Sequence, residues 1–263
     1  MAPSDRNRSQ SQDRSTPVVL VFHKLQASFS FGVNNFSPKR FERLLTWLEL
    51  LGYDLRLGER TAGQRLICTF DDGYRHLADV LPMFIERFGI RPVLFVPTGW
   101  IGKANRWDYS YWLRATPHLE RRQIRELANA GVIFGSHGHT HTDLTAVSSR
   151  RMQIELRQSR EMLSDLAAQR IQAISYPFGR CDQAVLEAVE WAGYTDGFTM
   201  RWPTPNDSKL AQGRIPVYGY DSPLSIQHKL GDGILNKLER VKATVTNRLS
   251  AGTILLNRLR RLD

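Results

Sequence analysis

Thr69-Phe70-Asp71-Asp72-Gly73 places two adjacent carboxylates at the end of a β-like run, Arg65–Asp71. Two later stretches read with it. Gly135-Ser136-His137-Gly138-His139-Thr140-His141 offers imidazoles, and Ser175-Tyr176-Pro177-Phe178-Gly179 is a Pro/Gly turn able to present a backbone N–H. Two His and one Asp make a three-ligand metal site with an open position, as hydrolytic zinc needs. The leftover carboxylate can then act as a base. Neighbours in an extended segment point to opposite sides, so one Asp can face a metal while the other faces substrate. Alone, Asp-Asp-Gly reads as a turn; the histidines make it a site.

Short apolar runs alternate with helical patterns around these stretches. Val18–His23, Arg65–Asp71, Arg91–Thr98, Gly131–His137, Ala173–Pro177, Thr195–Met200 and Arg214–Gly219 read as strands. Ser37-Pro38 opens a helix whose apolar face is Phe41, Leu44, Leu45, Leu48 and Leu51, and Gly52 closes it. Tyr74–Phe88 is a second helix, which Pro82 is expected to kink or split. Ser149–Ala168 is a third. Strand–helix alternation implies parallel pairing through right-handed crossovers. Seven strands suit a barrel of the α/β class. His23, Asp71, Asp72, His137 and Pro177-Phe178 all fall at C-terminal strand ends, the face where α/β barrels build active sites.

Composition sets the bounds. A chain of 263 residues with 41% hydrophobic content can bury a large core as one α/β domain. The formal charge of +10 favours acidic partners such as nucleic acid, anionic lipid or acidic glycan. From His228 to Asp263 there are eight Lys/Arg against three Asp/Glu, so half of that excess sits at the C-terminal end. Only Cys68 and Cys181 are present, which excludes a disulfide framework and fits a reducing compartment. No apolar run approaches the roughly 18 residues of a membrane span. Met1 to Pro17 is polar, lacks the apolar core of a secretory signal and reads as a disordered tail. A cytoplasmic, at most membrane-peripheral, location is expected. Three domains are drawn: the tail 1–17, a barrel 18–227 and a basic helical segment 228–263.

Thr-Phe-Asp-Asp-Gly, His-x-x-x-His and a Pro-x-Gly turn, in this order, resemble the polysaccharide deacetylase (NodB homology) family of carbohydrate esterases. The resemblance runs from the first strand to Arg214-Ile215-Pro216-Val217. It implies a distorted (β/α) barrel that removes N- or O-acetyl groups from sugars with one divalent metal, Zn2+ being expected. By position it makes Asp71 the catalytic base, Asp72, His137 and His141 the metal ligands, and Phe178 the backbone N–H donor to the oxyanion. Phe22-His23 is similar to members with a permuted barrel, in which a first-strand histidine is the general acid; Tyr74 also suits that subgroup. The chain departs from the family where Ser175 stands for an Arg that orients the base. A late Leu-x-His is only echoed by Ile226-Gln227-His228, which makes His228 the fallback acid.

Simpler readings stand beside these. His139 reads as a solvated or supporting side chain, His76 and His118 as surface residues, and Cys68 as core. Tyr74, Trp107 and Tyr109 form either a sugar-stacking platform or ordinary packing; Tyr74 and Trp107 are taken as substrate-binding candidates. Ile234, Leu238, Val241, Val245 and Leu249 repeat at helical spacing, so Gly233–Leu249 is an amphipathic helix expected to pack its apolar face on the barrel. Thr253–Arg261, with leucines among arginines, offers a basic helix for an anionic membrane. The expected partner is an acetylated glycan, with no specific nucleic acid. The competing function is a catalytically inactive glycan-binding module on the same fold.

Overall fold

The computed structural model describes residues 16–27, 33–56, 63–105 and 116–259, with side chains described as far as residue 247. Most of the expected tail, Trp107, Tyr109 and the side chains of Thr253–Arg261 lie outside the described residues.

All seven candidate strands form. They are β1 (Val18–Phe22), β5 (Gln64–Phe70), β6 (Val93–Val96), β7 (Ile133–Ser136), β8 (Ala173–Ser175), β9 (Asp196–Phe198) and β10 (Ile215–Pro216). Three two-residue strands, β2 (Lys24–Leu25), β3 (Asn35–Phe36) and β4 (Tyr53–Asp54), were too short to show in the sequence pattern. The main sheet runs β10-β1-β5-β6-β7-β8-β9, and every pair is parallel. The last strand thus lies outside the first, a non-sequential, permuted order. Gln212, just ahead of β10, bridges back to Phe198 of β9. The sheet therefore curls into a distorted half-barrel, the NodB-like architecture.

Helices cover the outside. They are α1 (Pro38–Leu50), α2 (Leu77–Phe88), α3 (Arg121–Asn129), α4 (Ser149–Ala167), α5 (Gln183–Trp191), α6 (Pro223–Leu230) and α7 (Ile234–Leu259). The Ser37 hydroxyl accepts from the Arg40 N–H at 3.3 Å, and Pro38 occupies the first turn, where no partner is needed for an N–H. Phe41, Leu44, Leu45 and Leu48 are buried as expected, whereas Leu51 is exposed at the cap. Phe41 packs edge-on against Phe22 of β1, at 5.1 Å, and against Phe84 of α2, at 4.9 Å. Apolar burial of this kind, at about 25 cal/mol per Å², holds the helices to the sheet. Pro82 does not split α2, which is continuous from Leu77 to Phe88; it removes a single backbone donor in the second turn.

The C-terminal helix corrects an expectation. Ile234, Leu238, Val241 and Val245 do not pack on the barrel; all four are exposed. Among the described side chains of α7, Asn236 and Ala243 are the buried ones. The Asn236 amide donates to the His228 and Lys229 carbonyls, and Asn247 donates to the Met200 carbonyl at 3.2 Å. Helical periodicity reveals that a stripe exists, not which way it faces; here hydrogen bonding outcompeted apolar packing for the contact with the body.

Candidate active site

The three motif stretches meet at the C-terminal ends of β5, β7 and β8. Asp72 and His137 follow or end their strands, and His141 lies on the loop after β7. The Asp72 Oδ1 lies 3.5 Å from His137 Nε2 and 3.4 Å from His141 Nε2. One donor atom from each residue falls within 4.8 Å of the others, and all three residues are buried. Ligand atoms about 2.1 Å from one tetrahedral ion lie about 3.4 Å apart, so this spacing fits a divalent ion. The His137 Nδ1 donates to the Ser175 carbonyl at 2.7 Å, which fixes the tautomer and leaves Nε2 with its lone pair toward the cluster.

Backbone conformation aims these groups. Among the described residues four non-glycines have positive φ: Asp72 (70°), His141 (58°), Phe178 (59°) and Ala168 (51°). Ala168 merely caps α4. The other three are site residues in a conformation that L-residues avoid, and such strain persists only where surroundings enforce it. For the histidine loop the enforcement comes from Glu155 of α4. Its carboxylate accepts the His139 N–H at 2.9 Å, the Thr140 N–H at 2.7 Å and the Thr140 hydroxyl at 2.7 Å, and it pairs with Arg151 at 2.8 Å. Asp143, after the loop, pairs with Arg180 at 2.8 Å, tying the His loop to the Pro177–Gly179 turn. The Phe178 ring meets His141 edge-on at 4.8 Å.

Asp71 is held differently. Arg214, fully buried just before β10, forks onto it: Nη1 donates to Oδ1 at 2.8 Å and Nη2 to Oδ2 at 2.7 Å. Arg214 also donates to the Ser175 hydroxyl at 2.8 Å, and Ser175 donates to Asp71 Oδ2 at 3.0 Å. The Arg missing at position 175 is therefore replaced from the segment leading into β10, the edge strand beside β1. Burial alone would raise the Asp71 carboxyl; the Arg214 guanidinium, with His137 and His23, outweighs this and holds it below the usual range. Burial likewise opposes ionisation of Asp72, and the adjoining His137, His141 and His23 reverse the balance downward. Burial and the neighbouring His137 push His141 down to about 3, which keeps it a neutral ligand.

The other expected residues distribute as follows. His23 follows β1 at half-buried depth, in the register that pairs Phe22 with Phe70 and thus beside Asp71. His228 sits in the last turn of α6. Tyr74 is no stacking platform: it is buried, with His118 stacked on it at 5.1 Å, His76 at 5.9 Å and the Lys24 ammonium over the ring at 4.8 Å. His118 is not at the surface either. It is buried, and its Nδ1 donates to the Asp72 carbonyl at 2.7 Å. His76 is half-buried, and its Nε2 accepts the Leu25 N–H at 3.0 Å. His139 supports the loop through Thr98, 2.9 Å away. The sequence reading missed Arg214, Glu155 and the burial of His118. An acidic residue facing inward from α4 was a visible signal for Glu155; nothing local marked Arg214.

Comparison with known proteins agrees with this geometry. The chain belongs to the polysaccharide deacetylase family, whose model matches residues 58–197. With the Asp72, His137 and His141 cluster on the NodB-like half-barrel, it is a metal-dependent deacetylase of acetylated sugars. The protein YxkH of Bacillus subtilis (strain 168) is 27% identical over 211 residues, covering 76% of this chain and 69% of YxkH. Among solved structures, the Streptococcus pyogenes deacetylase PplD in complex with acetate superposes with a TM-score of 0.69 at 20% identity, over 82% of this chain and 98% of PplD. The Bacillus cereus polysaccharide deacetylase BC0361 gives 0.68 at 21%, over 81% and 68%. A de-N-acetylase from Aggregatibacter actinomycetemcomitans gives 0.66 at 14%, over 80% and 98%. At these identities the structural likeness speaks for the fold.

Proposed function

We propose that this protein hydrolyses the acetamide of an N-acetylated sugar within an oligosaccharide, polysaccharide or glycan precursor. Water adds its oxygen to the acetyl carbon, the C–N bond breaks, and acetate and a sugar amine leave. The observation that carries the reading is the division of labour between adjacent carboxylates: Asp72 joins His137 and His141, while Asp71 is clamped by Arg214. Asp72, His137 and His141 would hold a divalent ion, Zn2+ by its donor set, which would supply a water of lowered pKa and polarise the acetyl carbonyl. Asp71, ionised through its guanidinium partner, takes the proton from the attacking water. The Phe178 N–H, turned by its left-handed backbone, donates to the developing oxyanion, a contribution of roughly 3 kcal/mol for a single donor. His23 delivers the proton to the leaving nitrogen, with His228 as the fallback. An O-acetyl ester would need less help, since its leaving group is better.

The inactive-module reading rests on Ser175 and on the weak late motif at Ile226-Gln227-His228; the clamp from Arg214 onto Asp71 and Ser175 answers the first of these. Acetate release from a panel of N- and O-acetylated glycans, with metal stripped and restored, tests the proposal. Release that disappears with chelation and returns with Zn2+ is expected. A loaded enzyme inert on every acetylated glycan overturns it.

A further inference from the structure

The outward face of α7 has no role in the chemistry above. At about 100° per residue, Ile234, Leu238, Val241 and Val245 fall within about 60° of one another. They lie roughly opposite Asn236, Ala243 and Asn247, the side that meets the body. The four apolar residues are between 52% and 75% exposed. The inner side is fastened by polar contacts: Asn247 with Tyr218 and Met200, Thr246 with Tyr220, and Lys242 with Asp221. A helix attached by its polar side and showing an apolar stripe to solvent is built to meet something else.

We propose that this stripe seats the protein on an anionic lipid bilayer. Charge selects the occupant. Within Ile234–Leu259 the basic residues are Lys237, Arg240, Lys242, Arg248 and Arg258, against the single acid Glu239. Lys237 borders one side of the stripe and Lys242, which also reaches Asp221, the other, while Arg240 turns toward the body over the Trp202 ring. A second copy of the chain would bring like charges together, whereas lipid headgroups complement them. An apolar stripe bordered by lysines on a basic helix is the pattern of a helix lying in the bilayer interface. The attachment point gives this a consequence for the site. Asn247 holds the Met200 carbonyl, and the Met200 sulfur lies 3.7 Å from the Arg214 Nη2 that clamps Asp71. The docking helix is thus fixed to the active-site rim, so glycan at or near a membrane surface is the population this enzyme meets.

Co-sedimentation of the full chain tests the proposal without requiring turnover. It should pellet with vesicles of phosphatidylglycerol and phosphatidylcholine in equal parts, and not with phosphatidylcholine alone. At about 0.5 M salt, where the screening length falls to about 4 Å, it should be released. Leu238→Glu with Val245→Glu should lower partitioning about tenfold or more, and Lys237→Glu about fivefold, with melting temperature and acetate release from a soluble substrate unchanged. Absence of low-salt sedimentation overturns the proposal, as does a double variant that binds like the parent. A concentration-dependent dimer lost in the double variant also overturns it, by making a second copy the occupant.

Discussion

The barrel rim and α7 break the usual rule of burial in opposite directions. At the rim the chain buries ionisable groups, among them Asp71, Asp72, Arg214, Glu155 and three histidines. In α7 it exposes valine, leucine and isoleucine while spending its polar side on the body. Buried charge is costly unless paired, and exposed apolar stripes are wasted unless covered. The first departure is resolved inside the molecule, through forks and backbone donors. The second has no internal resolution among the described residues. The rim is therefore finished by folding and α7 by an encounter, and substitutions in the two places should fail differently.

The sharpest break comes from the Asp71–Arg214 pair. Asp71→Asn should lower turnover by about 10²–10⁴-fold through loss of the base. It should also lower stability by about 3 kcal/mol, because Arg214 is left buried without its counter-charge. Adding Arg214→Met should restore much of the stability and none of the turnover, as urea titration and acetate release on the same preparations would show. Recovery of turnover in the double variant would remove Asp71 from its proposed role.

Next in size is the metal itself. His137→Ala or His141→Ala should abolish stoichiometric zinc in elemental analysis, and Asp72→Asn should weaken it. Glu155→Gln should act at one remove. It keeps the shape but loses the charge that holds the His139 and Thr140 N–H groups, so zinc affinity should fall about tenfold in chelator competition. An unchanged affinity would mean the loop holds its own conformation.

A pH test sharpens the rim side further. Burial, aided by the Lys24 cation, pushes His76 down to about 3. The unfolded chain, near the ordinary value of about 6.5, then binds more protons than the folded one between these limits, so stability falls as pH drops through that window. Between about pH 7 and pH 5 the His76 share should be roughly 1–2 kcal/mol, and His76→Gln should flatten the pH dependence of the unfolding free energy, measured by urea titration, by that amount relative to the parent. The smallest effect belongs to α7: Leu238→Glu should move stability by less than about 0.5 kcal/mol, since its side chain already faces water. A large loss there would show that the stripe is packed and erase the contrast.

Much of this was readable in the sequence, for physical reasons that differ by element. The strands were legible because buried parallel strands are short apolar runs between turn residues. The ligands were legible because Asp72 and His137 follow strand ends on one face, and His141 follows His137 within the same short loop. Arg214 was not, because its contact with Asp71 spans 143 residues and no local pattern encodes it. His118 was misread since its burial follows from the left-handed turn at Asp72, which brings that carbonyl to the imidazole. The α7 stripe was found and its direction was not, because periodicity carries phase within a helix but no reference to the rest of the fold.

The separation between Asp71 and its clamp also has a meaning in time. A ribosome adds about 5–20 residues per second, so the countercharge is made on the order of ten seconds after the carboxylate. Until then Asp71 cannot settle ionised in a dry interior, and the half-barrel has reason to stay open on that side. The residues matched by the family model, 58–197, include neither His23 nor Arg214. A chain trimmed to those bounds would carry every metal ligand yet lack both the proposed proton donor and the guanidinium that steadies the base.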